Sequence, residues 1–147
     1  ARPELVKALI AAEPLSPPFT ALSGPLRYGI VNAPLTYDPP LGAGDTLEWE
    51  ERPSPGEGLI AGKVQKEPAR RLPNLARVPM VVVTAEASWM AADNHAMVDF
   101  LAQAGCQVEH LRLEDKGVHG NGHALQLESN SDEVASVIEG WLLQRGL

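Results

Sequence analysis

An α/β fold built on a parallel sheet is the class this sequence predicts, and three observations predict it. Residues 79–84, Pro-Met-Val-Val-Val-Thr, are the β-branched run that a strand buried on both faces requires. Met97, Phe100, Leu101 and Ala104 then recur at helical spacing, and residues 107–113 alternate polar and apolar like a strand. Strand, helix and strand in that order join parallel neighbours through a crossover.

Taken in order, residues 5–12 form a short apolar run broken only by Lys7, suited to a central strand covered on both faces. The run ends at Glu13-Pro14, because proline has no N–H for the ladder, and Glu13 stands at the C-terminal strand end where ligands of open α/β sheets bind. From Ser16 to about Arg77 lie most of the 13 prolines and many glycines. A connection beyond about 12–15 residues in a compact domain is usually functional, so this segment reads as a cap, with residues 34–77 packed over the C-terminal strand ends. Within the segment, residues 26–33 read as an extended edge and 67–72 as one or two helical turns. After the strand at 79–84, Asp93 or Asn94 caps a helix that Gly105 ends. The strand at 107–113 leads into Gly117-Val118-His119-Gly120-Asn121-Gly122-His123, whose glycines permit backbone angles closed to other residues. The last element is a helix, with Asn130 or Ser131 as N-cap, Asp132 and Glu133 in its first turn, and a stripe of Val134, Val137, Ile138, Trp141 and Leu142.

The 147 residues, 44% of them hydrophobic, suit one α/β domain or a large part of one. A net charge of −7 with scattered Lys and Arg gives no basic stripe for phosphates, which argues against nucleic-acid binding. No apolar run approaches the roughly 18–20 residues of a membrane span. The single cysteine, Cys106, excludes an internal disulfide and, with nothing basic beside it, reads as a packed side chain.

Histidine near its ordinary pKa both takes and returns a proton near neutral pH, so His119 and His123 are the candidate bases. Glu13 and Glu86, at the ends of two successive strands, are the candidate acids. A zinc site is not expected. The two histidines are four apart, but Gly120 and Gly122 make a loop, and Gly120 stands where a zincin helix carries its glutamate. Trp49, Trp89 and Met90 are candidates for an apolar pocket wall.

The strand, histidine loop and terminal helix resemble the end of an α/β-hydrolase, in which the catalytic histidine follows the last core strand. Three motifs, in order, resemble an esterase-like branch of that family: Ala12-Glu13-Pro14, Tyr37-Asp38-Pro39-Pro40 and Gly120-Asn121-Gly122-His123. The resemblance implies that His123 is the catalytic histidine, with His119 structural, and that Glu13 is the acid, with Glu86 as the alternative. Most such hydrolases carry an aspartate after the later strand, and Ser88 stands at that position here. Tyr37-Asp38-Pro39-Pro40 reads as a turn in the cap.

A Gly-x-Ser-x-Gly nucleophile elbow precedes the acid and histidine in such enzymes. Ser16, Ser23, Ser54, Ser88, Ser129, Ser131 and Ser136 all lie in other contexts. The expectation is therefore that residues 1–147 are the C-terminal portion of one α/β-hydrolase domain. They would supply Glu13 and His123 to a Ser-Glu-His triad that acts on a small ester-like substrate without a cofactor. The nucleophile half, in the same or a second chain, is the expected partner, and self-association through an open strand edge is a further possibility. The alternative is a non-catalytic α/β module that binds a small ligand or a partner protein.

Overall fold

A computed structural model describes residues 2–20 and 24–147; Ser23, one of the serines set aside above, lies outside them. Three parallel strands make the main sheet in the order β1 (Leu9–Ala12), β4 (Met80–Thr84), β5 (Val108–Arg112). Two further strands, β2 (Trp49–Arg52) and β3 (Gly62–Gln65), form a separate antiparallel ribbon. Helix α1 (Asn94–Gln103) joins β4 to β5, and α2 (Ser131–Leu143) closes the chain.

Each residue of β4 is buried, which is why the run of branched side chains is uninterrupted. Alternation sends Met80 and Val82 into one cluster with Met97, Phe100 and Leu101 of α1. Val81 and Val83 enter another with Leu111, Val134 and Trp141, against α2. The central strand β4 is thus covered by a helix on each face. Gly105 at φ 83° ends the turn after α1, as a glycine past a helix C-cap does.

Three local expectations are corrected. The first strand is shorter than residues 5–12: Pro3–Leu5 form a 3₁₀ turn, and the ladder begins only where Leu9 N–H reaches Pro79 O at 3.0 Å. Nor is that strand covered on both faces. It pairs only with β4 among the described residues, and Ile10 stays 39% exposed on the side away from α1. Residues 26–33 form turns rather than an extended edge, since Tyr28 N–H returns to Val31 O at 3.1 Å. Residues 67–72 are not helical. Asp38 and Arg71 exchange backbone hydrogen bonds at 3.0 and 2.8 Å, which holds this stretch extended.

The segment 34–77 is corrected in its placement too: it does not gather over the C-terminal strand ends but contains the ribbon, and β3 packs along α1 while Tyr37, Leu47 and Leu72 pack with Met80 at the start of β4. Gly62 lies against Ala96 near the start of that helix, and Gln65 exchanges hydrogen bonds of 2.9 and 2.8 Å with Gln103 at its end. The Tyr37-Asp38-Pro39-Pro40 turn sits at that far end, where Arg70 Nη1 donates to Pro39 O and Pro40 O at 2.7 and 2.8 Å.

Gly29, at φ 83°, faces Phe100, and a Cβ there would sit 2.6 Å from the ring. Phe100 is fully buried. Gly29→Ala therefore combines a disfavoured backbone angle with overpacking and is expected to cost at least about 1–3 kcal/mol. Urea unfolding of the purified protein checks this, and an unchanged midpoint would contradict the close approach.

Candidate active site

Glu13 ends β1 with φ 49°, a left-handed angle uncommon for a residue with a Cβ. Its N–H still donates to Val83 O at 2.9 Å, so the ladder continues through it while the side chain is turned across the sheet rim. The carboxylate is nearly sealed from water, with 2% of the side chain exposed. A buried carboxylate without partners costs several kcal/mol. Here three donors meet it. Ala85 N–H donates to Oε1 at 2.5 Å, and Ser88 Oγ–H and His123 Nδ1, the latter at 3.1 Å, meet Oε2.

The turn after β4 is itself fixed. Ser88 N–H donates to Ala85 O at 3.2 Å, and Ser88 Oγ accepts Met90 N–H at 3.0 Å while giving its own proton to Glu13. Ser88 was legible only as the place where an aspartate is missing. In the structure its hydroxyl contacts the carboxylate that arrives from β1.

His123 is held from several sides. Asn121, 2% exposed, exchanges amide hydrogen bonds of 2.6 and 3.1 Å with Asn130, and Gly122 N–H donates to Glu128 Oε1 at 2.9 Å. Asn130 precedes α2 but does not cap it through its side chain, which is committed to Asn121. Asp93 likewise makes no side-chain cap on α1. With Nδ1 facing an acceptor, the neutral imidazole carries its proton there and leaves Nε2 free on the opposite side of the ring. Trp89, 65% exposed, stands beside the imidazole with ring centroids 5.1 Å apart. The other two pocket-wall candidates lie elsewhere: Trp49 stacks on Phe19 at 6.3 Å, and Met90 is fully buried.

The remaining histidine and carboxylate form a second, exposed pair. His119 Nδ1 lies 3.1 Å from Glu86 Oε2, which also accepts Gly120 N–H at 3.0 Å. Those two contacts, the Gly120 N–H foremost, hold Glu86 below the ordinary carboxylate range. Behind the rim runs a polar line, buried at Asn94 and Thr84 and partly buried at His110. Asn94 Nδ2 donates to Thr84 Oγ1 at 3.1 Å, and Thr84 Oγ1 lies 2.8 Å from His110 Nε2. Burial first, then the Arg112 guanidinium, pushes His110 down to about 4. Among the described residues no three His, Cys, Asp or Glu side chains gather as metal ligands, and no helix is long and apolar enough to cross a membrane.

No family model matches the chain. Over 147 residues it is 37% identical to the probable secreted lipase phiG of a fungal species, strain ATCC 74256. The chain is similar to a lipase. The match takes in 97% of this chain and 40% of that lipase, so the chain spans well under half the length of its relative.

Proposed function

We propose that this chain is the C-terminal part of an α/β-hydrolase domain, with residues 34–77 as its cap insertion. It supplies Glu13 and His123 to the Ser-Glu-His triad of a carboxylic ester hydrolase whose serine lies in sequence beyond the chain. The observation that carries the reading is the 3.1 Å contact between His123 Nδ1 and the sealed Glu13 carboxylate. Similarity to a lipase over 40% of that protein's length supports the reaction class.

In this mechanism His123 Nε2 takes the proton of the serine hydroxyl as its oxygen attacks the ester carbonyl. His123 returns that proton to the leaving alcohol, and a water activated by the same nitrogen then releases the acid. Glu13 holds the Nδ1–H tautomer and stabilises the imidazolium formed at each step. Ala85 N–H and Ser88 keep the carboxylate in line with the ring, and the exposed Trp89 offers an apolar wall to the substrate.

Hydrolysis of a short p-nitrophenyl ester by the full-length protein tests the assignment. Glu13→Gln keeps the shape and removes the charge, so kcat is expected to fall on the order of 10³- to 10⁴-fold. Glu86→Gln is expected to cost far less. The reverse order would move the acid to the Glu86–His119 pair.

A further inference from the structure

We propose that Glu86 is a positioning residue that sets the place of His123 by clamping the histidine loop at Gly120; this rests on His123 being the base. The free stretch of the loop is His119-Gly120, between the buried Val118 and the buried Asn121 that Asn130 holds. Gly117 and Gly120 have φ of 79° and 75°, and His119 and Gly120 are exposed. At its start the loop is anchored by the buried Val118, whose N–H donates to Leu113 O at 3.0 Å. The next anchor is Glu86, whose Oε2 accepts Gly120 N–H at 3.0 Å and lies 3.1 Å from His119 Nδ1. Ala87 N–H follows, donating to Asn121 O at 3.0 Å.

These contacts share an origin. Ala85 and Ser88 hold the Glu13 carboxylate, and Glu86 and Ala87, between them in the chain, hold the histidine loop. One four-residue turn is therefore the common reference for both members of the pair. If the loop slid along that turn, the ring would move relative to a carboxylate that stayed in place, and a shift of about 1 Å in such a geometry costs on the order of 100-fold in rate. Glu86 touches no reacting atom. Its effect passes through Gly120 to His123, with the His119 contact as a secondary brace.

The test uses Glu86→Ala and Glu86→Gln in the full-length protein, with a p-nitrophenyl ester as substrate and amide hydrogen exchange as a readout independent of activity. Glu86→Ala is expected to lower kcat about 10- to 100-fold with KM little changed, and to speed exchange at Gly120. Glu86→Gln keeps a side-chain carbonyl that accepts Gly120 N–H, so it should restore most of kcat and slow exchange again. Unchanged exchange at Gly120 in Glu86→Ala, or a kcat within about twofold of the parent, would overturn the clamp. A Glu86→Gln variant as slow as Glu86→Ala would overturn it too, because charge and not loop position would then be at work. Glu13→Gln in the same assay judges the underlying reading separately: if it is fully active, the triad assignment fails, whereas exchange at Gly120 reports on the clamp either way.

Discussion

Replacing His123 by alanine in the full-length protein is expected to lower kcat/KM for a p-nitrophenyl ester on the order of 10⁴- to 10⁶-fold. His119→Ala is expected to cost no more than about tenfold. The two histidines differ by four positions but not in kind, so the contrast lies in their partners. His123 Nδ1 meets a carboxylate with 2% exposure, in a setting where a lost donor cannot be replaced cheaply by water. His119 is 63% exposed, and its partner Glu86 keeps the Gly120 N–H when the imidazole is removed. Steady-state kinetics of both variants, with circular dichroism to confirm folding, settles the order. A collapse of activity in His119→Ala with His123→Ala still active would transfer the base to the exposed pair.

Between pH 6.5 and about 4 the folded protein is expected to lose stability through His110. Its imidazole is partly buried, with Nε2 2.8 Å from the Thr84 hydroxyl, whose oxygen also accepts from Asn94. Protonation would charge a partly desolvated ring beside the Arg112 guanidinium. The folded value lies below the unfolded one, so the unfolded chain binds more protons in this window and stability falls as pH falls. At about 1.4 kcal/mol per unit the loss is no more than about 3.5 kcal/mol, and less where solvent reaches the ring, complete below the folded value. His110→Gln keeps an acceptor toward Thr84 and removes the titration, so its thermal midpoint should vary less between pH 6.5 and 4 than the parent's. Equal slopes would remove His110 from the account. The carboxylates Glu67 and Glu86, held below their ordinary value of 4.5, begin to weaken the fold only below that pH and act equally in both proteins.

The elements that were legible in the sequence are those whose side chains answer to one environment. Val81 to Val83 are branched because helices cover both faces of β4, and Met97, Phe100 and Leu101 are spaced at helical intervals because α1 has one buried side. The ribbon was illegible for the opposite reason. Trp49–Arg52 is exposed at all four positions, so nothing alternates. In β3 one of the most buried side chains is Gln65, whose amide pairs with the backbone of Arg70 while Gln103 holds its main chain, so polar partners stand where apolar contact was to be read. Residues 26–33 looked strand-like because Leu26 and Ile30 face the interior, but Gly29 at positive φ turns the chain between them. For the candidate site, the residue types and their loops could be read directly. Which carboxylate meets which histidine came only from the family resemblance and not from the residue pattern, since the His123–Glu13 contact joins residues 110 apart and depends on the register of β1 against β4.

Glu13 departs from the end of one strand, yet its side-chain partners belong to the loops that follow the next two. Neighbouring strands lie about 4.8 Å apart, a lateral step that a glutamate side chain covers when its backbone is turned as Glu13's is. A shorter acid at Ser88 would start on the near side of that step and arrive beside the same imidazole. Two carboxylates crowded there would repel, so the presence of either one disfavours the other. Ser88 is the uncharged occupant compatible with a glutamate from β1, and its hydroxyl turns the potential rival into a donor. A carboxylate can therefore reach this imidazole from the end of either strand, and in this chain the one that does so comes from β1.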